Sequence, residues 1–281
     1  MASSMRVGIA LLLALLFLSP LVMISGGNDV ESATIGCELS FDGELANESV
    51  GFQTSLGPRL PGSAASSALR ESIKSNLTGW DITESTHHAD GMVLTNLYAT
   101  WNKGAGSEVI FAAHYDTRAW GDKDPDVSRH DEPIDGANDG ASGVAVLIEL
   151  GRIIPTLNLT HEVTLFFTDG EDQGNDSTMS GWILGATAWA DNLTQSEADQ
   201  IESFILIDMI GDSDLTLRRA YPGNETLWNR TVDKIFFLDE VCGLGDSSYL
   251  NTQGFDMIID DHVPADNLRI PAIDIIDARY G

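Results

Sequence analysis

Three apolar runs of strand length each end on acidic or imidazole side chains, and that pattern limits the fold more than any other feature of the chain. Val109-Ile110-Phe111-Ala112-Ala113 leads into His114-Tyr115-Asp116, Val163 to Thr168 into Asp169-Gly170-Glu171-Asp172, and Phe204 to Ile207 into Asp208. A fourth run, Ala272 to Ile276, is preceded by Asp260-Asp261-His262. Runs without polar alternation fit strands buried on both faces, which requires helices on either side as crossovers. Ala64 to Leu77 has apolar residues at helical spacing, Gly143 to Ile154 reads as a buried helix, and Val93 to Trp101 reads as a further strand. The expected class is α/β: three layers, α/β/α, around a mixed, mostly parallel central sheet. Ligands of such sheets bind in the loops at the carboxyl ends of the strands, which is where the acidic residues fall.

Crowding then points to chemistry. Besides the strand ends, Gly136-Ala137-Asn138-Asp139-Gly140-Ala141-Ser142-Gly143 delivers Asp139 at the start of the buried helix. Carboxylates gathered at one rim repel and lose hydration, so their convergence calls for a cation. Oxygen and imidazole ligands with one position left open suit zinc. Alone, each piece has an ordinary explanation: an Asp after a strand caps a helix or turns the chain, and His87, His88 and His130 read as solvated. The order of the pieces, each following a buried strand, is what separates a site from a set of caps.

Composition bears on partners and address. The 281 residues carry 43 acidic against 15 basic side chains, a formal net charge of -28. No basic face is available to neutralise phosphates, which excludes a nucleic-acid binder. The acidic, Lys-poor surface suits salty water, where screening relieves self-repulsion. Arg6 precedes an apolar run from Val7 to Ile24 and then Ser25-Gly26-Gly27, so residues 1–27 read as a secretory signal or an uncleaved membrane anchor. Residues 28–50 are polar and acidic and read as a flexible spacer, leaving residues 51–281 as the folded domain. Seven Asn-x-Ser/Thr sequons occur, at Asn47, Asn76, Asn158, Asn175, Asn192, Asn224 and Asn229, where about two are expected by chance. An extracytoplasmic glycoprotein, secreted or membrane-attached, is therefore expected. Cys37 and Cys242 either close one very long loop or remain two thiols.

His114-Tyr115-Asp116, the Gly136 to Gly143 loop, Gly170-Glu171-Asp172 and Asp261-His262 together resemble the superfamily of zinc aminopeptidases and glutaminyl-peptide cyclotransferases. Gly57-Pro58-Arg59-Leu60-Pro61-Gly62-Ser63 is similar to its N-terminal signature, and the resemblance runs from about Phe52 to the last residue. It implies a zinc held by Asp139 and Asp172, with Glu171 as general acid/base. Asp208 and Asp261 would form a hydrogen-bonded relay. In the dizinc aminopeptidases, His114 and Asp208 would hold a second zinc bridged by Asp139.

The implied substrate is a peptide or protein N-terminus. The loop Trp120 to Ile134, Gly181-Trp182 and Asp260-Asp261-His262-Val263-Pro264 resemble bacterial and archaeal glutaminyl cyclase-like members, which implies conversion of N-terminal Gln to pyroglutamate with release of ammonia. A dizinc aminopeptidase and a non-catalytic binding ectodomain are the alternatives. One departure stands out. The family's last zinc ligand is a His in a Trp-His-Thr-like stretch beyond the final strand, whereas no His follows His262 before Gly281. The resemblance therefore implies a C-terminally truncated sequence, which as given would hold zinc weakly.

Overall fold

The computed structural model describes residues 40–175, 180–243 and 247–279. In chain order the main elements are α1 (Gly43–Ser55), α2 (Ala64–Asn76), β1 (Asp81–Ala89), β2 (Met92–Trp101), β3 (Glu108–His114), α3 (Ala141–Ile153), β4 (Glu162–Thr168), β5 (Asp172–Asn175), β6 (Ser180–Trp182), α4 (Leu184–Asp191), α5 (Gln195–Ala198), β7 (Ile201–Asp208), β8 (Leu217–Tyr221), α6 (Glu225–Cys242), β9 (Leu250–Met257), α7 (His262–Asn267) and β10 (Ala272–Ile276). Six strands form one sheet in the order β1-β2-β4-β3-β7-β10. β4, β3, β7 and β10 are parallel neighbours, while β2 runs against both β1 and β4. The mixed, mostly parallel sheet expected from the apolar runs is the observed one.

Period-two alternation divides each central strand between two cores. Phe111, Ala113, Leu165, Phe167, Ile205 and Ile207 face one side, packed by Leu69 and Ile73 of α2, Leu147 and Leu150 of α3, and Val232 and Ile235 of α6. Ile110, Ala112, Phe166, Phe204 and Leu206 face the other, against Trp189 of α4, Ala198 of α5 and Ala265 of α7. Phe166 stacks on Tyr98 at 4.6 Å and meets Phe204 edge-on at 6.3 Å. Two buried faces explain why these strands carry nearly continuous apolar sequence.

The parallel strands give the domain two unlike edges. At their carboxyl ends stand His114, Asp208 and the loops after β3 and β4, here called the rim. Helix α3 starts on that rim and runs back down one face, so its last turn, Glu149 to Ile153, reaches the opposite edge, the base. Gly143 is required on the way: a Cβ there would lie 2.1 Å from the carbonyl oxygen of Ile207, so only glycine lets the helix approach β7 this closely.

One expectation needs correction, and one strand was not expected. The spacer assigned to residues 28–50 includes the first turns of α1. Asp42 caps that helix by accepting from Glu44 and Leu45 N–H, Ala46 is buried, and Gln53 Nε2 donates to the Ala141 carbonyl at 3.0 Å. α1 is anchored through one small residue, one amide and its cap instead of a continuous apolar stripe, which hides it from periodicity. β1 was likewise unanticipated, because as an edge strand it is nowhere fully buried; it carries His87 and His88. Residues 1–27, Cys37 and the final Tyr280-Gly281 lie outside the described residues. Cys242 is disulfide-bonded. Among the described residues no helix is long and apolar enough to cross a membrane.

Candidate active site

The rim gathers the expected side chains around His114. Its Nε2 lies 2.9 Å from Asp139 Oδ1 and 3.2 Å from Asp208 Oδ1. One donor atom from each of the three residues lies within 4.8 Å of the other two. Each arrives by a separate route: His114 ends β3, Asp208 ends β7, and Asp139 sits in the loop opening α3. That loop is fastened from both sides. Asn138 Oδ1 accepts from Gly211 N–H at 2.6 Å, and Ser142 Oγ donates to the Asn138 carbonyl while accepting from Ile210 N–H. The buried guanidinium of Arg59 donates to the carbonyls of Asp135 and Gly136. Gly140, at φ +67°, passes so close that a Cβ would stand 2.7 Å from the His114 carbonyl oxygen.

Glu171 and Asp172 follow β4 and are set by Asp116, a fully buried carboxylate. Asp116 accepts from the backbone N–H of Glu171 at 3.0 Å and of Asp172 at 3.2 Å, and from Gln173 Nε2 at 2.9 Å. It also lies 3.5 Å from His114 Nδ1. Consecutive residues in an extended chain point opposite ways, so fixing both amides fixes which side chain faces which partner. Asp172 Oδ1 accepts from Arg118 Nη1 at 2.8 Å, and its buried Oδ2 has no hydrogen-bond partner. Arg118 is itself clamped: Asp122 accepts two of its N–H groups at 2.7 Å, and the rings of Trp120 and Trp182 lie 5.5 and 4.8 Å from its Cζ.

Behind these stands a second acidic layer. Asp261 accepts from the Thr168 hydroxyl, and Asp260 accepts from the Asp261 N–H at 2.6 Å. His262 turns away, its Nε2 donating to the Pro222 carbonyl at 2.7 Å, so it adds no ligand to the rim. Burial pushes its pKa down to about 4.

The electrostatics are those of a site short of positive charge. Burial, then repulsion from Asp260, pushes the Glu171 carboxyl well above the usual carboxylate range. Burial, then Asp139, raises Asp172 to about 8, and burial raises Asp261 to about 7. Burial alone would lower the His114 pKa, but Asp208 and its other acidic neighbours outweigh it and hold the ring well above its ordinary value. A divalent cation answers this need. The donor set is oxygen plus imidazole, the unpartnered Asp172 Oδ2 is a carboxylate atom without a task, and the group fits zinc.

All the expected residues lie on this one edge. Not anticipated from sequence were the roles of Asp116 and Arg118, although Asp116 stands two residues beyond a strand-end His and Arg118 two further on.

Residues 96–281 match peptidase family M28. The chain belongs to this family. The M28 chain has the fold of the Porphyromonas gingivalis glutaminyl cyclase, at 30% identity and a TM-score of 0.75, covering 85% of this chain and 86% of that one. A leucine aminopeptidase precursor from Bacteroides thetaiotaomicron is similar to the same degree, at 28% identity and a TM-score of 0.75, covering 86% and 87%. A probable zinc metalloprotease of Pyrenophora tritici-repentis is 29% identical over 116 residues, which are 40% of this chain. That match spans 21% of the length of the curated relative. The M28 chain is thus similar to proteins of both reaction types anticipated from sequence, and its His114, Asp139 and Asp208 donors are placed to hold a metal ion.

Proposed function

We propose that this M28 member is a zinc-dependent glutaminyl-peptide cyclotransferase-like enzyme, acting on peptide or protein N-termini to form pyroglutamate with release of ammonia. The observation that carries the reading is Glu171: a buried carboxyl of raised pKa, chain neighbour to the partly unpartnered carboxylate of Asp172. Similarity along most of the chain to glutaminyl cyclases supports this reaction.

Asp139 and Asp172 would hold the zinc, which supplies Lewis acidity toward the side-chain carbonyl of an N-terminal Gln. Glu171 takes a proton from the substrate α-amine as that nitrogen bonds to the side-chain amide carbon. It then returns the proton to the nitrogen that leaves as ammonia. A carboxyl with an ordinary pKa would be a poor donor in the second half, and burial against Asp260 corrects that. Asp208, beside His114, and Asp261, behind Glu171, are the buried carboxyls that a proton relay would use. Asp116 orients the Glu171–Asp172 pair without touching substrate.

The second reading, a dizinc aminopeptidase, is favoured by the approach of His114, Asp139 and Asp208 donors to within 4.8 Å and by the similarity to a leucine aminopeptidase precursor. There Glu171 would be the base for a water. Incubating the full-length, zinc-loaded enzyme with a Gln-initiated and a Leu-initiated peptide and weighing the products decides between them. Loss of ammonia from the first and no change in the second is expected; removal of Leu, with the Gln peptide merely shortened, contradicts the cyclotransferase assignment.

We further propose that the protein works outside the cytoplasm, with residues 1–27 as export signal or membrane anchor and the catalytic domain starting near Ser40. Ser40 is tied to the base, where its carbonyl accepts from Arg152.

A further inference from the structure

The seven sequons take no part in the rim chemistry, and their placement is uneven. α2 ends at Asn76, and a few residues on Trp80 Nε1 donates to the carbonyl of Gly151 in the last turn of α3, at the base. Asn158 lies between α3 and the first residue of β4, and Asn192 between α4 and the first residue of β7. Asn224 donates its backbone N–H at 2.7 Å to Ala272, the first residue of β10. These four stand where parallel strands begin.

Two more lie just above. α1 rises from the base, because the Asp42 N–H meets Glu149 Oε1 near the end of α3 while Gln53 reaches Ala141 at its start. Asn47 is in its lower half. α6 rises from Asn224, and Asn229 is in its second turn. Only Asn175, three residues past Asp172, belongs to the rim.

Accessibility agrees. All seven are exposed except Asn224, which is half-buried because its Oδ1 caps α6 by accepting from Leu227 N–H at 2.8 Å. Such a cap uses the carbonyl oxygen and leaves the amide nitrogen, the atom that bears a glycan. By contrast Asn96 and Asn138, which are not in sequons, are buried.

We infer that the base of the domain is an N-glycosylated face, with sugar carried on Asn47, Asn76, Asn158, Asn192, Asn224 and Asn229. A glycan is bulky and hydrated and fills the solvent above its asparagine. On the rim it would occupy the approach a peptide N-terminus needs; on the base it covers the edge through which the chain enters at Ser40 and leaves the acidic rim open. The inference rests on the proposal that the protein is exported.

The test is peptide mapping by mass spectrometry of the full-length protein isolated from its native cells, with cytosol, membrane and medium collected separately. Sugar-bearing peptides at most of the six base sequons, in the membrane or medium fraction, are expected. Asn158→Gln and Asn229→Gln should each remove one glycan increment of mass and leave Tm unchanged. Protein recovered outside the cytosol with the base sequons bare, whether or not Asn175 is occupied, overturns the inference while leaving export intact. Recovery only from the cytosol overturns both, so the two failures are told apart.

Discussion

Glu171→Gln is expected to lower turnover by about 10²- to 10⁴-fold, the contribution of a positioned proton-transfer group, while zinc content stays at the parental level. Gln has the shape of Glu but cannot accept a proton from the α-amine or return one to ammonia. The position of the side chain should persist, because its anchor is the backbone: residue 171 N–H donates to Asp116 Oδ1 at 3.0 Å. Neutralising this carboxyl also removes its repulsion with Asp260, so the variant should fold at least as well as the parent. The check is kcat with metal analysis on the same preparation. Zinc lost in step with activity would show that Glu171 is a ligand and that its role has been confused with that of its neighbour.

Asp172→Asn is expected to give the reverse result, zinc lost on dialysis and activity lost with it. A neutral amide is a weak zinc ligand, and the change also deprives Arg118 of a carboxylate at 2.8 Å, which disturbs the clamp as well as the ligand. A pH signature accompanies this. With its pKa raised to about 8 by burial and by Asp139, the parental carboxyl must surrender a proton to take a metal. Zinc affinity should therefore be full above about pH 8 and fall as the pH is lowered through it. Zinc titrations of parent and variant across this range check both parts. An Asn variant that keeps stoichiometric zinc after dialysis, with the parental pH slope, would remove Asp172 from the ligand set.

The sheet was legible because its central strands are buried twice. Phe111 belongs to one core and Phe166 and Phe204 to the other, yet all three come from comparably apolar runs, so the signal is the same on both faces. The rim was legible for a related reason: a buried strand must end somewhere, and the residue after it must tolerate that edge, so an acidic side chain recurring there is conspicuous. What could not be read was anything resting on contacts distant in sequence. Asp116 looks like one more strand-end carboxylate until its bonds to residues 171, 172 and 173 are seen. Arg118 reads as one cation in an acidic loop, and only the fold brings Trp182 over it and Asp172 against it. α1 escaped because it is held by a cap, a buried Ala46 and a single amide from Gln53. Local pattern reports burial well and partnership poorly.

The central claim is that the carboxylates of this rim converge on zinc with Glu171 beside it as a free acid/base. Anomalous diffraction at the zinc edge from crystals of the zinc-loaded, full-length enzyme tests it most directly. The account predicts a zinc peak about 2.0–2.2 Å from a carboxylate oxygen of Asp139 and of Asp172, with Glu171 outside ligand distance. A peak bound by Glu171, or zinc elsewhere on the molecule with Asp172 held by Arg118 alone, would contradict it.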